Sequence, residues 1–345
     1  MYVRIDLKCF YLRTTNLRID SKYLKNIFVN YNMNNRTLSD DERVFRITRN
    51  VSSKKISILR EILKVRSPIA YCKIIPIFKV HLENIITFLK ISDLLEAGCE
   101  VIVLFDDIHH KDIQNIDLKC DYFEKLIRSI LEIKNVNTDN LRFVLSSSYH
   151  FNENFVSKFY KLANNTNVNK INFYVENKIT EIINPILKHL DEDYLNADIQ
   201  LLDDNIEELP NIKKMIYLIT PKLIPMNFNP CLRLTENDNI FSPRYKISSS
   251  SKIYLLDNEK RIKKKINKAY CIDVECNPLL TIIKYIILQM RSEIIFLKGK
   301  KNRTYKSYEK IEYDFLHKKI TPDNMKETVS TFLIELTNQI NEKTI

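Results

Sequence analysis

No other stretch limits the possible folds as strongly as residues 71–110, where the pattern changes from strand to helix and back to strand. Residues 71–75 are a short, mostly apolar run, and apolar side chains recur every three or four positions over residues 85–96. Gly98 follows where a helix would end on a left-handed residue. Residues 100–105 are continuously apolar after Glu100, as in a strand buried on both faces. The pattern predicts a βαβ unit and an α/β fold.

Polar side chains follow the second predicted strand. Asp106, Asp107 and His109 come directly after the apolar run. Open α/β sheets bind their ligands at the carboxyl ends of the strands, so these residues mark a candidate site. The alternation continues with a helix predicted over residues 120–131, a strand over 141–145 and a helix over 155–162.

The flanking regions have weaker patterns. A helix is predicted over residues 44–64, ending before Pro68, and a second one over residues 178–200. A strand is predicted over residues 213–220, followed by an irregular, proline-containing connection over residues 221–243.

An acidic segment lies in the second half of the predicted helix over residues 178–200. Asp191, Asp198 and Asp203 either contact a ligand or belong to a solvated face. Because acidic runs are most often solvated, the second interpretation is favoured from the pattern alone.

Length and composition set outer limits. The 345 residues, 45% of them hydrophobic, predict about two domains with real cores. No apolar run reaches the roughly 20 residues that cross a bilayer, and no signal peptide is evident, so we expect a soluble, cytoplasmic protein without a membrane partner. Seven cysteines without a closely spaced pair predict reduced, interior thiols and no metal site.

The chain is basic and almost free of glycine. A net charge of +11 favours a polyanionic partner such as nucleic acid. Glycine occurs only twice, where an average usage of ~7% would give about 24. A glycine-rich phosphate loop is therefore excluded, and with it the usual dinucleotide-binding enzymes.

The serine-rich segment that begins at Lys246 offers another way to bind phosphates. Lys246 is followed by Ser248, Ser249 and Ser250. An ammonium on a flexible stem, followed by hydroxyl groups, can neutralise and hydrogen-bond a triphosphate without glycine. Serine-rich loops usually have no such role, so the order of motifs along the chain carries more weight.

Several collinear stretches resemble the tyrosyl-tRNA synthetases of the eukaryotic and archaeal type, which are class I aminoacyl-tRNA ligases. Residues 246–257, KISSSSKIYLLD, are similar to the second signature of that family. Residues 262–271 look like its lysine-rich entry to the C-terminal domain, and residues 97–109 and 190–195 also follow its pattern. The resemblance runs from about residue 46 to near the C-terminus.

The resemblance implies an α/β fold with a Rossmann-like parallel-sheet catalytic domain, followed by a mainly helical anticodon-binding domain. We expect a polar, partly disordered segment over residues 1–42, the catalytic domain over 43–245, the Lys-x-Ser-Ser-Ser loop over 246–257 and the helical domain over 258–345.

The implied reaction joins tyrosine to ATP as tyrosyl-adenylate and then transfers the tyrosyl group to tRNA(Tyr). ATP is the co-substrate, Mg²⁺ is expected to accompany it, and no tightly bound cofactor is expected. The expected partners are tRNA(Tyr) and a second copy of the chain in a homodimer.

Carried over position by position, the resemblance assigns recognition of the substrate phenol to Tyr71 and Asp191. A buried donor–acceptor pair of this kind can reject phenylalanine by leaving polar groups unpaired. The expected catalytic residues are His81, Lys246 and Ser248. ATP is expected to bind His81, Lys246, Ser248, Ser249 and Ser250. The other histidines, His110, His150, His189 and His317, are interpreted as surface or packing residues.

The rest of the implied site departs from the family. Lys73 and Phe78 stand where the family has glycines, and Glu83 stands where it has a small residue. Near the expected substrate ammonium, Asn184 and Lys188 replace the family's tyrosine and glutamine. Two interpretations stay open: a working tyrosine–tRNA ligase, or an inactive paralogue that retains tRNA binding or dimerisation.

A basic segment with interleaved aromatics occupies residues 298–308. Cations neutralise phosphates and aromatic rings stack on unpaired bases, so this segment is a candidate contact for the anticodon. A solvated basic loop is the alternative. The predicted tRNA-binding residues are Lys298, Lys300, Lys301 and Arg303.

Overall fold

The computed structural model of the protein describes residues 38–51, 55–76, 79–108, 114–165, 179–203, 224–228, 234, 252–275, 277–298 and 301–344. Within these ranges, five strands form one parallel sheet: β1 (Ile69–Ile74), β2 (Glu100–Phe105), β3 (Leu141–Leu145), β4 (Ile199–Asp203) and β5 (Ile224–Phe228). Their spatial order is β3-β2-β1-β4-β5. The strand order therefore reverses between β1 and β4, which is where open α/β sheets form a ligand-binding crevice.

Six α-helices of the described part of the chain accompany this sheet. They are α1 (Asp40–Thr48), α2 (Ile56–Val65), α3 (Leu82–Glu96), α4 (Ile116–Ile133), α5 (Glu153–Asn165) and α6 (Ile179–Tyr194). The predicted α/β class and the βαβ unit are confirmed, since β1, α3 and β2 lie where the apolar pattern places them.

The alternation of side chains along β2 explains why the sheet is covered on both faces. Val101 and Val103 join the large core that contains α3 and α4, whereas Ile102 and Leu104 join a smaller cluster with residues of α5 and α6. Successive side chains of a strand point to opposite faces, so a continuously apolar strand needs a layer on each side. Tyr71 belongs to the cluster on the α5 and α6 face.

Four of the helices that the structure describes end with the same backbone motif, in which a left-handed residue follows the helix. These residues are Gly98 after α3, Asn135 after α4, Asn196 after α6 and Lys318 in the C-terminal region. In each case the next amide donates to a carbonyl five residues earlier, as Cys99 does to Leu94 at 2.9 Å. Asparagine tolerates this conformation better than most residues, so it substitutes for the missing glycines.

The C-terminal region is mainly helical, as expected. It contains α7 (Glu259–Lys268), α8 (Pro278–Ile282) continuing through a π-helical turn to Met290, α9 (Tyr308–Leu316) and α10 (Pro322–Thr344). Helix α10 packs against α4 and α7 with a stripe of buried side chains that recur at helical spacing. Thr321 caps α10, because its hydroxyl accepts from the Asn324 amide at 3.2 Å. None of the helices among the described residues is long and apolar enough to cross a membrane.

Helix α1 is fixed to α3 by buried cations. The Lys90 ammonium donates to the backbone carbonyls of Arg46 at 3.1 Å and Arg49 at 2.8 Å. The Arg49 guanidinium pairs with the fully buried carboxylate of Asp93. Burial lowers the pKa of Lys90 to about 8, despite the nearby Asp93 carboxylate.

Several details differ from the prediction. The helix predicted over residues 44–64 is two helices, and the one over 178–200 ends at Tyr194 because Asn196 turns the chain into β4. The connection predicted to be irregular contains strand β5, which pairs with β4 over its whole length. The strand predicted over residues 213–220 lies outside the described residues.

The basic segment of the C-terminal region also differs from the solvated-loop alternative. It contributes to an antiparallel hairpin of β6 (Ile294–Lys298) and β7 (Lys301–Tyr305). Phe296 and Tyr305 are buried and face each other edge-on, with ring centroids 5.5 Å apart. The pair gives the hairpin an apolar side, which a free loop would lack.

The cysteines within the described ranges lie in the interior as free thiols, as the sequence predicts. Cys72, Cys99, Cys120 and Cys271 are free and buried. Burial raises the pKa of Cys99 to about 12 and that of Cys120 to about 11, which keeps both thiols protonated at neutral pH.

Candidate active site

The carboxyl ends of β1 and β2 and the last turns of α6 meet at the reversal of strand order. Lys73 is the fifth residue of β1, Asp106 directly follows β2, and Asp191 lies near the end of α6. Tyr71 and Lys73 are two residues apart on one strand, so they point to the same face of the sheet. That face is the one covered by α6, which carries Asp191.

Asp191 is the centre of a buried hydrogen-bond network. Its Oδ1 accepts from the Tyr149 hydroxyl at 2.6 Å and lies 2.6 Å from His150 Nε2. Its Oδ2 accepts from the Lys73 ammonium at 3.2 Å. Asp191 is fully buried, and a buried carboxylate requires such donors to offset its lost hydration.

Lys73 bridges two buried carboxylates. Its Nζ lies 3.0 Å from Asp106 Oδ2 and 3.2 Å from Asp191 Oδ2. Burial alone would lower the pKa of Lys73, but the charges of Asp191 and Asp106 outweigh it and raise the pKa. Lys73 is therefore a permanent cation inside the crevice, with about one fifth of its side chain exposed.

The hydroxyl of Tyr71 lies in the same buried region. Tyr71 is 1% exposed, and its oxygen has no hydrogen-bond partner among the described residues. Burial raises the pKa of Tyr71 well above its ordinary value, and the nearby charges of Asp191 and Glu192 add to the effect. Tyr71 thus carries an unsatisfied donor beside a carboxylate, which is an arrangement that a hydroxyl-bearing ligand can complete.

Aromatic stacking fixes the residues that hold Asp191. The ring of Tyr149 stacks on Tyr194, with centroids 4.1 Å apart and planes 5° apart. The ring of His150 stacks on Phe155 with centroids 4.4 Å apart. These contacts orient both donors toward Oδ1 of Asp191.

His81 lies at the start of α3, next to residues 253–255, which follow the serine-rich loop. Its backbone pairs with Tyr254, and its ring meets the Tyr254 ring edge-on at 6.3 Å. The Leu82 amide donates to the Ile253 carbonyl at 3.1 Å, and the Leu255 amide donates to the Val80 carbonyl at 3.1 Å. A small pocket of about 10 Å³ beside this junction is lined by His81, Leu82, Glu83, Leu234, Lys252, Ile253 and Ile282.

The same junction is joined to the first helix of the C-terminal region. The Lys265 ammonium of α7 donates to the Lys252 carbonyl at 2.7 Å and to the Asp257 carboxylate at 2.6 Å. Asp257 in turn accepts from the Tyr254 amide at 2.9 Å. Residues 252–257 are thereby held to both α3 and α7.

Tyr71 and Asp191, the two residues predicted to recognise a phenol, are brought together at the crevice, and His81 is at the start of the neighbouring helix. Lys246, Ser248, Ser249 and Ser250 lie outside the described residues, as does Lys300. Lys298 and Lys301 belong to the hairpin β6–β7. Arg303 is exposed, with one guanidinium nitrogen 4.0 Å from Asp314.

The expectation that the acidic segment is solvated was wrong for two of its residues. Asp191 and Asp198 are buried rather than solvated, and Asp198 accepts two hydrogen bonds of 2.6 Å from Arg66. His150 is buried and stacked on Phe155, in line with its interpretation as a packing residue, and it also lies 2.6 Å from Asp191. Tyr149 was missed altogether. The available signal was the position of both residues just after β3, at the same edge of the sheet as Asp106.

Comparisons with known proteins agree with this geometry. The family model described as tRNA synthetases class I (W and Y) matches residues 64–338. The cytoplasmic tyrosine–tRNA ligase of Danio rerio is 29% identical over 335 residues, which cover 89% of this chain and 61% of that protein. A probable cytoplasmic tyrosine–tRNA ligase of Encephalitozoon cuniculi is 27% identical, with 89% and 96% covered.

A solved structure shows the same architecture. The crystal structure of tyrosyl-tRNA synthetase from Archaeoglobus fulgidus, complexed with L-tyrosine, superimposes with a TM-score of 0.78 at 25% identity, covering 89% of this chain and 100% of that one. The chain spans about 60% of the length of the vertebrate relatives from Danio rerio and Gallus gallus. With a family match over residues 64–338 and this parallel-sheet fold, the chain belongs to the class I tRNA synthetases of the tryptophan and tyrosine group.

Proposed function

We propose that this chain is a tyrosine–tRNA ligase, which activates tyrosine with ATP to tyrosyl-adenylate and transfers the tyrosyl group to tRNA(Tyr). The observation that carries the proposal is the buried hydroxyl of Tyr71, which has no hydrogen-bond partner among the described residues and lies within the electrostatic influence of the Asp191 carboxylate. A phenol hydroxyl that accepts from Tyr71 and donates to Asp191 satisfies both groups. Phenylalanine would bring no such hydroxyl, which is how a site of this kind discriminates. The relatives named as tyrosine–tRNA ligases support the same activity.

The chemistry of this reaction requires positioning and charge stabilisation more than covalent catalysis. In the proposal, Lys246 and Ser248 contact the phosphates of ATP together with Ser249 and Ser250, and His81 stabilises the charge that develops at the α-phosphate. The attachment of residues 252–255 to residues 80–82 supports this assignment, because it brings the end of the serine-rich segment to His81.

Mg²⁺ accompanies ATP in the proposal and would be held chiefly by the phosphate oxygens. Among the described residues, no group of three His, Cys, Asp or Glu side chains is arranged to hold a metal ion. The absence of a resident metal and of a tightly bound cofactor stays a prediction from the resemblance, and the steps above use the side chains and ATP.

We also propose the organisation expected from the sequence. Residues 43–245 form the catalytic domain, residues 246–257 the phosphate-contacting loop and residues 258–345 an anticodon-binding domain. Lys298, Lys300, Lys301 and Arg303 then contact tRNA(Tyr) through the hairpin β6–β7, and the chain acts as a homodimer. The relatives named as cytoplasmic support a cytoplasmic location.

Tyrosine-dependent exchange of pyrophosphate into ATP tests the adenylation step. The purified full chain should show exchange with tyrosine and far less with phenylalanine. The variant Tyr71→Phe should lose part of this discrimination, whereas Tyr160→Phe, whose ring is exposed, should not. An absence of exchange from folded protein with saturating tyrosine and ATP would exclude the ligase proposal.

Transfer and recognition need a separate measurement. Competition between tRNA(Tyr) and a tRNA with an altered anticodon, at one fixed salt concentration, should favour tRNA(Tyr). Equal affinities would mean that only phosphates are contacted, without reading of the bases.

A second candidate function is an inactive paralogue that retains tRNA binding or dimerisation. The observation that favours it is the Lys73 ammonium, which occupies the crevice between Asp106 and Asp191. This candidate predicts tRNA(Tyr) preference without pyrophosphate exchange, so the two experiments together separate it from the ligase.

A further inference from the structure

The ammonium of Lys73 lies where an open α/β sheet receives its ligand. Lys73 stands at the carboxyl end of β1, beside the point where the strand order reverses. Asp106, from the end of β2, and Asp191, from α6, approach it from two sides. A side chain of the protein itself therefore occupies this part of the crevice.

The two oxygens of Asp191 differ in how firmly their partners are held. Oδ1 is engaged by Tyr149 and His150, whose rings are stacked on Tyr194 and Phe155. Oδ2 is engaged by Lys73, whose ammonium stands on a flexible four-carbon stem. An incoming donor can therefore displace Lys73 from Oδ2 more easily than it can displace either stacked ring.

Lys73 also has a second carboxylate to which it can withdraw. Asp106 is 4% exposed and lies 3.0 Å from Nζ, slightly closer than Asp191. After displacement, the ammonium would keep one buried counter-ion, which limits the electrostatic cost of the movement.

We propose that Lys73 is an internal competitor for the amino-acid subsite: its ammonium holds the Asp191 oxygen that the substrate hydroxyl requires, and tyrosine must displace it toward Asp106. The inference rests on the proposed function and makes Lys73 a specificity-determining residue. It also predicts that this site discriminates between tyrosine and phenylalanine less strongly than the same site without Lys73. The reason is that Lys73 satisfies Asp191 when phenylalanine is bound.

Direct binding of L-tyrosine to the full-length protein, measured by calorimetry, tests the competition. Lys73→Gly should bind tyrosine about tenfold more tightly than the wild type, since the substrate no longer breaks a charge-assisted hydrogen bond. The preference for tyrosine over phenylalanine in pyrophosphate exchange should rise as well. Lys158→Met, which removes an exposed lysine paired with Asp193 on α6, should change neither value.

Two further variants keep the test decisive if Lys73→Gly fails to fold. Combining Lys73→Gly with Asp106→Asn removes one of the two carboxylates that would otherwise face each other, and it should also tighten tyrosine binding. Lys73→Arg keeps the charge and offers two donors to Asp191 and Asp106, so it should weaken tyrosine binding.

Unchanged or weaker tyrosine binding by the folded glycine variants, or tighter binding by Lys73→Arg, would overturn the competition. The outcome is separable from the proposed function. Exchange by the wild type without any gain from Lys73→Gly would reject only the role of Lys73. A gain in tyrosine affinity without exchange from any variant would reject only the ligase activity.

Discussion

Tyr149 donates its hydroxyl hydrogen to Oδ1 of Asp191 across 2.6 Å, at the buried end of the crevice. Because Asp191 is fully buried, each of its donors compensates for part of the hydration that the carboxylate has lost. Burial and the Asp191 charge both raise the pKa of Tyr149, so the hydroxyl stays protonated and remains a donor at neutral pH.

The first prediction is that Tyr149→Phe lowers the free energy of unfolding by about 1.5–3 kcal/mol, the usual range for a hydrogen bond to a charged group. The ring and its stacking on Tyr194 are retained, so the loss reports the hydrogen bond. Urea denaturation measures it, and Tyr160→Phe, at an exposed ring, is the control. Equal losses in the two variants would show that the contact with Asp191 does not add to the free energy of unfolding.

The second prediction concerns Asp198, which joins the starts of β1 and β4. Its carboxylate accepts two hydrogen bonds of 2.6 Å from Arg66 and one of 2.9 Å from the Ile69 amide. Asp198→Asn should lower the free energy of unfolding by about 2 kcal/mol, less than for a fully buried pair because Arg66 is half exposed.

The matched control for this carboxylate is Asp193→Asn. Asp193 pairs with Lys158 on the surface, and surface pairs contribute only about 0–1 kcal/mol. Chemical denaturation of both variants should therefore give clearly different midpoints. Coinciding midpoints would mean that the link between β1 and β4 does not depend on Asp198.

The third prediction is a pH dependence that comes from Lys90. Its pKa is lowered by burial from the usual 10.5 to about 8, so the unfolded chain binds more protons between these two values. The free energy of unfolding therefore rises with pH in this window, by up to about 3 kcal/mol, and the penalty is fully present below pH 8.

The variant Lys90→Met should lack this rise, while Lys125→Met, at an exposed position of α4, should keep it. The measurement is urea denaturation from pH 7.5 to 10.5, compared as the difference between wild type and variant at each pH. A difference that stays constant across the window would contradict the assignment to Lys90.

The fourth prediction concerns Lys318, which adopts φ +56° after α9. Left-handed backbone costs most side chains about 1 kcal/mol, and glycine avoids this cost. Lys318→Gly should therefore raise the free energy of unfolding by about 1 kcal/mol. Lys318→Ala removes the charge but keeps the Cβ, so it should give no such gain. Thermal or chemical denaturation distinguishes the two variants.

The sequence predicted the centre of the fold well because periodicity is strong there. The continuous apolar run of β2 fits a buried strand, and the three-and-four spacing of α3 fits a helix. Gly98 marks the turn between them with φ +76°. The end of α6 was misjudged, since Asn196 rather than glycine provides its left-handed residue. In a chain with two glycines, a search for helix ends by glycine misses most of them.

The site was predictable only in part, for a different reason. Tyr71 and Asp191 are 120 positions apart, and the resemblance to a known family brought them together in the prediction. The position of Tyr149 and His150 just after β3 indicates the edge of the sheet at which they lie, but not their contact with Asp191, because that contact depends on the packing of α5 and α6 over one face of the sheet. Likewise, the bridge from Lys73 to two carboxylates arises from three separate elements.

The junction formed by residues 252–257 has a mechanical consequence. Backbone hydrogen bonds tie it to the residues before α3, and the Lys265 side chain ties it to α7. A movement of α7, such as one imposed by a bound macromolecule, would therefore be transmitted through these hydrogen bonds to the backbone around His81.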